Sequence, residues 1–176
     1  MIINLLIPCA RWVGEILKTG VLIVCVGGLF AVPVAADEIV SPSKGQTVYL
    51  PVYSHLWHGN LDPKKGQPEI LQLSALVSIR NTDPASPIRI ISARYYDTNG
   101  KFLREFVPAP KVLAPLGTLE LFVERREAEG GSGANFVIQW QSDAPVSEPV
   151  AEAVHADLLS VRTVSFVTVG RVIRRE

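Results

Sequence analysis

Hydrophobic and polar residues alternate along several short stretches of this chain of 176 residues. In the stretch 69–80 every second residue is apolar, and only Leu76 interrupts the polar set between them; the apolar residues are Leu71, Leu73, Ala75, Val77 and Ile79. Successive side chains of a strand point to opposite faces, so a period of two places one face in a core and the other in water. The stretch therefore predicts a half-buried β-strand.

The same alternation predicts further strands in the stretches 46–54, 88–96, 101–106, 117–125, 135–142 and 164–173. Phe122 is an apolar exception on the outward side of its strand. Asn99-Gly100 joins two of the stretches, and Asn-Gly favours a type I′ hairpin because both central residues need a positive φ. Residues 69–106 are therefore predicted to form a central meander of three consecutive strands, onto which the rest packs.

Other stretches are less regular. Pro51 has no amide hydrogen, which predicts an edge or bulged strand at 46–54. Stretches 55–68 and 107–116 are rich in proline and are predicted to be a connection and a crossover between sheets, while 150–159 fits a strand and a helix equally. Seven to eight short strands without a convincing helix predict an all-β, antiparallel, immunoglobulin-like β-sandwich, with a barrel as the second choice.

The N-terminal segment differs sharply from the rest of the chain. Residues 1–36 contain three charged side chains, include a long uncharged run at 20–34 and end in the small residues Ala35 and Ala36. This pattern is typical of a secretory signal peptide cleaved after Ala36, with an uncleaved membrane anchor as the alternative. We therefore expect a signal peptide or anchor at 1–36, a linker at 37–45 and one domain at 46–176. The protein is expected to be exported, either periplasmic or tethered to the inner membrane by this segment alone.

Cysteine content and charge exclude some classes of function. The chain has two cysteines, Cys9 and Cys25, and both lie in the N-terminal segment, so the domain is not stapled by disulfides. Cys25 follows Val24, whereas a lipoprotein signal has a small residue before the cysteine. The chain has 17 basic and 17 acidic residues without a basic cluster, so no nucleic-acid partner is expected.

The histidines suggest one possible chemistry. All three lie in two places, His55 and His58 in one and His155 beside Asp157 in the other. Three imidazoles and a carboxylate would suit zinc or copper. The opposing interpretation is that His55 lies at a strand end and His58 lies on a solvated loop. A spacing of three puts these two side chains on opposite faces of a strand, so they would not converge on one ion. Metal binding, or metal-dependent hydrolysis, is therefore the alternative function.

Aromatic residues and a glycine-rich loop suggest a binding surface. Tyrosine and tryptophan combine apolar area with a hydrogen-bonding tip, so a platform for a protein or carbohydrate is one interpretation and core packing is the other; the candidates are Tyr53, Trp57, Tyr95 and Tyr96. Ser132 lies in the loop Gly130–Gly133, where a strand and not a helix follows, so it does not fit a nucleophile elbow. Ser132 and Asn135 are instead candidates for a binding loop at one end of the sandwich.

Four segments resemble the bacterial family catalogued as domain of unknown function 3124. They are Val48–His55, Ser78–Asp83, Tyr95–Lys101 and Gly130–Phe136, and the likeness extends over most of 45–173. The resemblance implies an exported bacterial protein, with a signal or lipid anchor and no established activity. We therefore expect an exported, non-enzymatic binding module that needs no cofactor, in which loops 55–68 and 127–134 meet a protein or carbohydrate partner.

Overall fold

The computed structural model describes residues 42–159 and 161–175, and these residues form twelve strands and no helix. Confirming the prediction, they form antiparallel sheets of a β-sandwich. The strands are β1 (Ser43–Pro51), β2 (His55–His58), β3 (Glu69–Gln72), β4 (Ser74–Arg80), β5 (Ile88–Tyr96), β6 (Phe102–Glu105), β7 (Lys111–Leu113), β8 (Thr118–Val123), β9 (Asn135–Val146), β10 (Val150–Leu159), β11 (Arg162–Val169) and β12 (Arg171–Arg175).

The predicted signal or anchor segment at 1–36, with both cysteines, lies outside the described residues. Most of the predicted linker at 37–45 lies outside them as well, and β1 already begins at Ser43. Within the described part of the chain, no helix is long and apolar enough to cross a membrane.

The strands form two large sheets and one separate hairpin. Sheet I has the order β12-β1-β9-β5-β6, with β7 also paired to β5. Sheet II has the order β11-β10-β4-β8, and β2 pairs only with β3. The inward side chains of both sheets form one hydrophobic core, whose largest members include Trp140, Tyr95 and Phe136.

The predicted inward residues are in the core. All five alternating residues of the stretch 71–79 are at most 6% exposed, as are Val48, Leu50 and Val52 of the first predicted strand. Burying one such aliphatic side chain contributes about 1.5–3 kcal/mol to folding. The period of two therefore identified both the strands and the faces they bury.

The central meander was predicted wrongly, because its strands belong to different sheets. β4 is in sheet II, and β5 and β6 are in sheet I. The loop 81–87 carries the chain across. The buried Asn81 side chain donates to the carbonyls of Ser86 at 2.8 Å and Ala114 at 3.0 Å, while the Asp83 carboxylate accepts from the amides of Ala85 and Ser86. These bonds satisfy the polar groups of a loop that could not join a ladder.

The strand containing Pro51 is not an edge strand, but it is irregular, as the alternative prediction of a bulged strand has it: its register shifts between Thr47 and Val48 against β12 and between Ser43 and Gly45 against β9. β1 lies between β12 and β9, and Pro51 is its last residue. The pairing with β12 ends at Tyr49, so the missing amide hydrogen of Pro51 interrupts no bond to that neighbour.

The turn between β5 and β6 is a hairpin as predicted, but it is not of type I′. Gly100 has a φ of 78°, whereas Leu116 is the one non-glycine with a positive φ among the described residues, so Asn99 is not left-handed. The amide of Gly100 donates to the Asp97 carbonyl and the amide of Asp97 donates to the Lys101 carbonyl, both at 3.0 Å. This is a three-residue loop with a left-handed glycine at its end.

Three other stretches also differ from the prediction. The stretch 55–68 contains β2 as well as a loop, and 107–116 contains β7. The stretch 164–173 is two strands, because the chain leaves sheet II for sheet I at Gly170. A Cβ on Gly170 would lie 2.6 Å from Val48 Cγ1, so only glycine fits this crossing without movement. The stretch 69–80, predicted as one strand, is likewise divided into β3 and β4, which belong to different sheets. Two added strands and two divided stretches explain why twelve strands replace the eight expected when 150–159 is counted as a strand.

The sandwich has two ends with different contents. The chain enters at Ser43, and Arg175 forms an ion pair with Glu148 at the same end, which also holds the loop 81–87. We call this the basal end. The opposite end, the apical end, holds the β2–β3 hairpin, the turn 97–100, the loop 124–134 and the tip of the β10–β11 hairpin at 158–162.

Candidate functional site: the apical end

The β2–β3 hairpin covers the apical end of the core. It connects β1 of sheet I to β4 of sheet II, and its register pairs His55 with Gln72 and Trp57 with Ile70. Leu71 and the following Leu73 are buried, and the Leu73 amide donates to the Ser54 carbonyl at 2.9 Å. One face of the hairpin therefore closes the core, and the other face is available to solvent.

Trp57 is presented to solvent on the outer face of this hairpin, where its indole is hydrogen-bonded to a neighbouring side chain. Its side chain is 64% exposed, and its cross-strand neighbour Ile70 is 55% exposed. The indole N–H donates to Nε2 of His55 at 3.1 Å, and the two rings are nearly parallel, at 22°, with centroids 6.5 Å apart. His55 thus holds the indole in place while leaving its apolar surface uncovered.

The four predicted metal ligands have other partners. His55 accepts from Trp57, His58 Nδ1 lies 3.8 Å from Glu69 Oε2, and Nε2 of His155 accepts the Tyr53 amide at 3.0 Å. Within residues 42–159 and 161–175 no group of three or more His, Cys, Asp or Glu side chains is arranged to hold a metal ion. The structure therefore offers no grouping in support of a zinc or copper site.

His155 is a buried aromatic side chain of the apical half of the core. It is fully buried, stacks on Phe166 at 4.6 Å and meets the edge of Tyr53 at 5.7 Å. Burial lowers the pKa of His155 to about 4, partly offset by the backbone of Phe166 and Ala153. The imidazole is therefore neutral at pH 7, with Nε2 as the acceptor. Tyr53, a predicted binding residue, is half-buried and packs on this ring.

Asp157 lies beyond His155 on the same inward face of β10 and is 1% exposed. Arg125 places Nε 3.1 Å from Asp157 Oδ1 and 3.4 Å from the carbonyl of Gln72. This one guanidinium ties the loop 124–134 to β10 and to the β2–β3 hairpin. It fixes the apical end rather than leaving a charge for a ligand.

The glycine-rich loop is held by its neighbours. The Thr98 amide and hydroxyl both donate to the Gly130 carbonyl, at 2.9 and 3.0 Å, and the Ser54 amide and hydroxyl both donate to the Gly131 carbonyl at 3.1 Å. A Cβ on Gly130 would overlap the Tyr95 hydroxyl and lie 2.8 Å from Tyr95 Cζ. Three of the four segments that carry the family resemblance, Val48–His55, Tyr95–Lys101 and Gly130–Phe136, therefore meet at this loop.

Not all predicted binding residues are available at the surface. Tyr95 is 1% exposed and belongs to the core, and burial raises its pKa to about 12, so its place in a binding platform was predicted wrongly. Tyr96 is half-buried against the edge of Phe102, at 5.8 Å. Ser132 and Asn135 are half-buried, and Asn135 is the first residue of β9.

A second exposed apolar group at the apical end was missed by the sequence analysis. At the tip of the β10–β11 hairpin, Leu158 is 71% exposed, Leu159 is 42% exposed and Val161 is 91% exposed. The available signal was the apolar run at the end of a stretch left undecided between helix and strand. Large apolar side chains concentrated at one place usually mark a contact surface.

A shallow cleft lies beside this end, between the edges of the two sheets. Its volume is about 530 Å³, and its lining is of mixed charge: Arg104, Phe122, Glu124, Arg126 and Glu127. The described groups whose pKa is clearly displaced, such as His155 and Tyr95, do not line it. Its geometry therefore does not combine a cleft with perturbed titratable groups.

Comparisons with known proteins add the family. No curated protein matches the chain. A crystal structure described as Thermotoga maritima 1070 matches with a TM-score of 0.40 and 12% identity, over 77% of this chain and 98% of that one. A likeness of that size supports no argument. A family model described as protein of unknown function (DUF3124) matches residues 45–173, well over half of the chain, and the protein therefore belongs to that family.

Proposed function

We propose that the protein is an exported, non-enzymatic binding module that holds a protein or carbohydrate partner at its apical end. The observation that carries the proposal is Trp57, which is 64% exposed and yet held by His55. Residues that dominate binding interfaces are most often tryptophan, tyrosine and arginine. An exposed indole that is already ordered loses little further side-chain entropy when a partner covers it.

The surroundings of Trp57 support the same surface. Ile70 extends its apolar area across the strand pair. The β10–β11 tip adds Leu158 and Val161 at the same end of the sandwich. A rigid sandwich that presents loops at one end is a common arrangement for recognition.

The direction of β1 determines how a tethered domain would present its apical end. The described chain enters at Ser43, at the basal end, and β1 then runs for nine residues to Pro51 at the apical end. Nine residues of strand extend about 30 Å. A domain attached through its N-terminal segment would therefore present Trp57 away from its point of attachment.

Site-specific photocrosslinking in living cells tests the proposed surface. A photoreactive amino acid at Ile70 should form an adduct with one envelope component, and the same residue at Val112, 65% exposed on β7, is the matched control. Trp57→Ala in the Ile70-labelled chain should abolish the adduct, whereas Phe122→Ala, which removes an aromatic ring of similar exposure from sheet II, should leave it. Equal adducts from positions 70 and 112, or an adduct that survives Trp57→Ala, would refute the proposed surface.

A carbohydrate partner is tested separately with soluble cell-wall oligosaccharides. Stacking of a sugar on Trp57 should change the emission of an exposed indole, and Trp140, which is fully buried, should not respond. Trp57→Phe should retain part of the affinity and Trp57→Ala should lose it. Export itself is tested by cell fractionation and intact mass, with a mature chain beginning at Asp37 as the expected product.

A further inference from the structure

An unbroken row of apolar side chains crosses the solvent-facing side of sheet II. It consists of one residue from each strand: Phe122 of β8, Leu76 of β4, Val154 of β10 and Val167 of β11. The register makes each a direct cross-strand neighbour of the next. Phe122 and Val167 at its ends are both 54% exposed, and Leu76 is 36% exposed. We call these four residues the apolar row.

The outer face of sheet I has a different character. Between the inward residues of β9 lie Gln139 and Gln141, and β5 places Arg89 and Arg94 beside them. Arg89 pairs with Asp143 at 2.7 Å and Arg94 with Glu105 at 3.6 Å. Sheet I also exposes apolar side chains, such as Tyr49 beside Val137, but Arg171 and Arg94 flank that pair, so of the two large sheets only sheet II carries an apolar residue from every strand at one level.

We propose that the apolar row is the contact surface for a second copy of this chain, in a symmetric dimer whose two sheets II face each other. The two-fold axis runs parallel to the strands and passes between β4 and β10. That rotation reverses the strand order, so β4 of one copy lies over β10 of the other and β8 lies over β11. Leu76 then meets Val154 of the second copy, and Phe122 meets its Val167.

The charges beside the apolar row fit this arrangement. The neighbouring row along the strands is Glu120, Ser78, Glu152 and Val169. The rotation places Glu120 over Val169 and Ser78 over Glu152 of the second copy, so no two carboxylates face each other. Like charges placed directly opposite would have opposed association.

Arg80 adds an attraction across the same contact. It already pairs with Glu152 of its own copy at 3.1 Å, and its cross-strand neighbour is Val150. In the dimer it faces Val150 of the second copy, one row from that copy's Glu152. Each Arg80 therefore lies between Glu152 of its own copy and Glu152 of the second copy, and the two-fold axis relates these two carboxylates.

The area of the contact determines the expected affinity of the dimer. Four strands and about eight residues of length give a face of roughly 19 Å by 26 Å, so the two copies together cover about 1,000 Å² of flat projection. That is the lower limit for a specific interface and indicates a weak, micromolar dimer. An axis parallel to the strands also keeps both basal ends on one side, so two chains tethered to the same membrane could associate.

Cysteine pairing between differently tagged full-length chains tests the arrangement, with Cys9→Ser and Cys25→Ser in every chain. Leu76→Cys in one chain and Val154→Cys in the other should form a disulfide at least tenfold faster than Val112→Cys paired with Val154→Cys. Leu76→Cys chains that link chiefly to each other would overturn the stated axis, because an axis that brings Leu76 over itself must pass through Leu76 and not between β4 and β10. Pairing no faster than the control would overturn the contact.

Analytical ultracentrifugation of the purified protein gives a second, independent measurement. Leu76→Lys should raise the dissociation constant of the dimer at least tenfold, and Trp57→Lys, at the apical end, should not change it. Thermal melting checks that the Leu76 variant still folds. A wild-type chain that stays monomeric at about 0.1 mM would overturn the proposal, because a contact of this size should form there. The apolar row lies outside the apical end, so this proposal and the proposed function can fail separately.

Discussion

Acidification should destabilise the protein through His155. This side chain is fully buried between Phe166 and Tyr53, and burial lowers its pKa from 6.5 to about 4. In the unfolded chain the imidazole binds a proton near pH 6.5, so between pH 6.5 and 4 the unfolded state holds more protons than the folded one. Stability is therefore complete above pH 6.5 and falls as the pH is lowered through this window.

The magnitude follows from the two pKa values. The loss should be about 2 kcal/mol at pH 5 and about 3 kcal/mol at pH 4, relative to pH 7.5. Small domains are stable by only about 5–15 kcal/mol, so this is a large fraction.

Urea unfolding between pH 7.5 and 4, followed by circular dichroism, measures this loss. Carboxylates also titrate near pH 4, so the wild type is compared with His155→Gln, which retains an acceptor for the Tyr53 amide but does not titrate. His58→Gln is the matched control and should behave as the wild type does. A wild-type curve that stays parallel to that of His155→Gln down to pH 5 would show that the buried imidazole does not set the acid sensitivity.

Three further perturbations test the packing described above. Gly130→Ala should cost about 1–3 kcal/mol in urea unfolding, since its Cβ would press on the rigid Tyr95 ring, and no loss would contradict that contact. Asn81→Ala should cost about 2–4 kcal/mol because it leaves buried loop carbonyls without a hydrogen-bond donor. Asn99→Ala in the exposed turn is the control and should change stability by less than about 0.5 kcal/mol. The amides of Ala85, Ser86 and Ser147 hold the pKa of Asp83 below its ordinary 3.8, so its contribution is present above pH 3.8 and is lost below it. Asp83→Asn should therefore flatten the acid limb of the stability curve, and an unchanged limb would contradict this.

The sequence was sufficient for the strands whose inward side is apolar. The alternation of Leu71 to Ile79 named the buried residues correctly, but it did not show that the chain passes there from β3 of the hairpin to β4 of sheet II. Sheet membership was not predictable in the same way. Whether β5 continues the sheet of β4 depends on the loop 81–87, where Asn81 bonds to Leu113 and Ala114, more than thirty residues away.

β10 shows why one stretch could not be decided from its pattern. Its inward residues include two alanines, His155 and Asp157, while its outward residues include Val154 and Leu158. In β10 the buried side chains are small or polar and the larger apolar side chains face outward, which reverses the usual pattern. The apolar spacing of four that remains suits a helix as well as one face of a strand.

The candidate site was predictable only in part, because the sequence gives residue types and not their exposure in the folded protein. Trp57 was recognised by residue type, but exposure separates it from Tyr95, and exposure depends on which strand covers which. Gly130 and Thr98 explain the glycine-rich loop only after folding brings them together. Three of the four segments that carry the family resemblance therefore serve mainly to hold the loops of the apical end in place.

The two exceptions to alternation, Leu76 and Phe122, lie next to each other in the folded protein. Each interrupts the polar side of its own strand, and separately each looks like ordinary variation. The register of β4 with β8 makes them cross-strand neighbours, and β10 and β11 extend the row with Val154 and Val167. Four strands that place an apolar residue at one level of a solvent-facing sheet form a surface, whereas a single exposed leucine needs no explanation. That is the physical reason to look for a partner on sheet II as well as at Trp57.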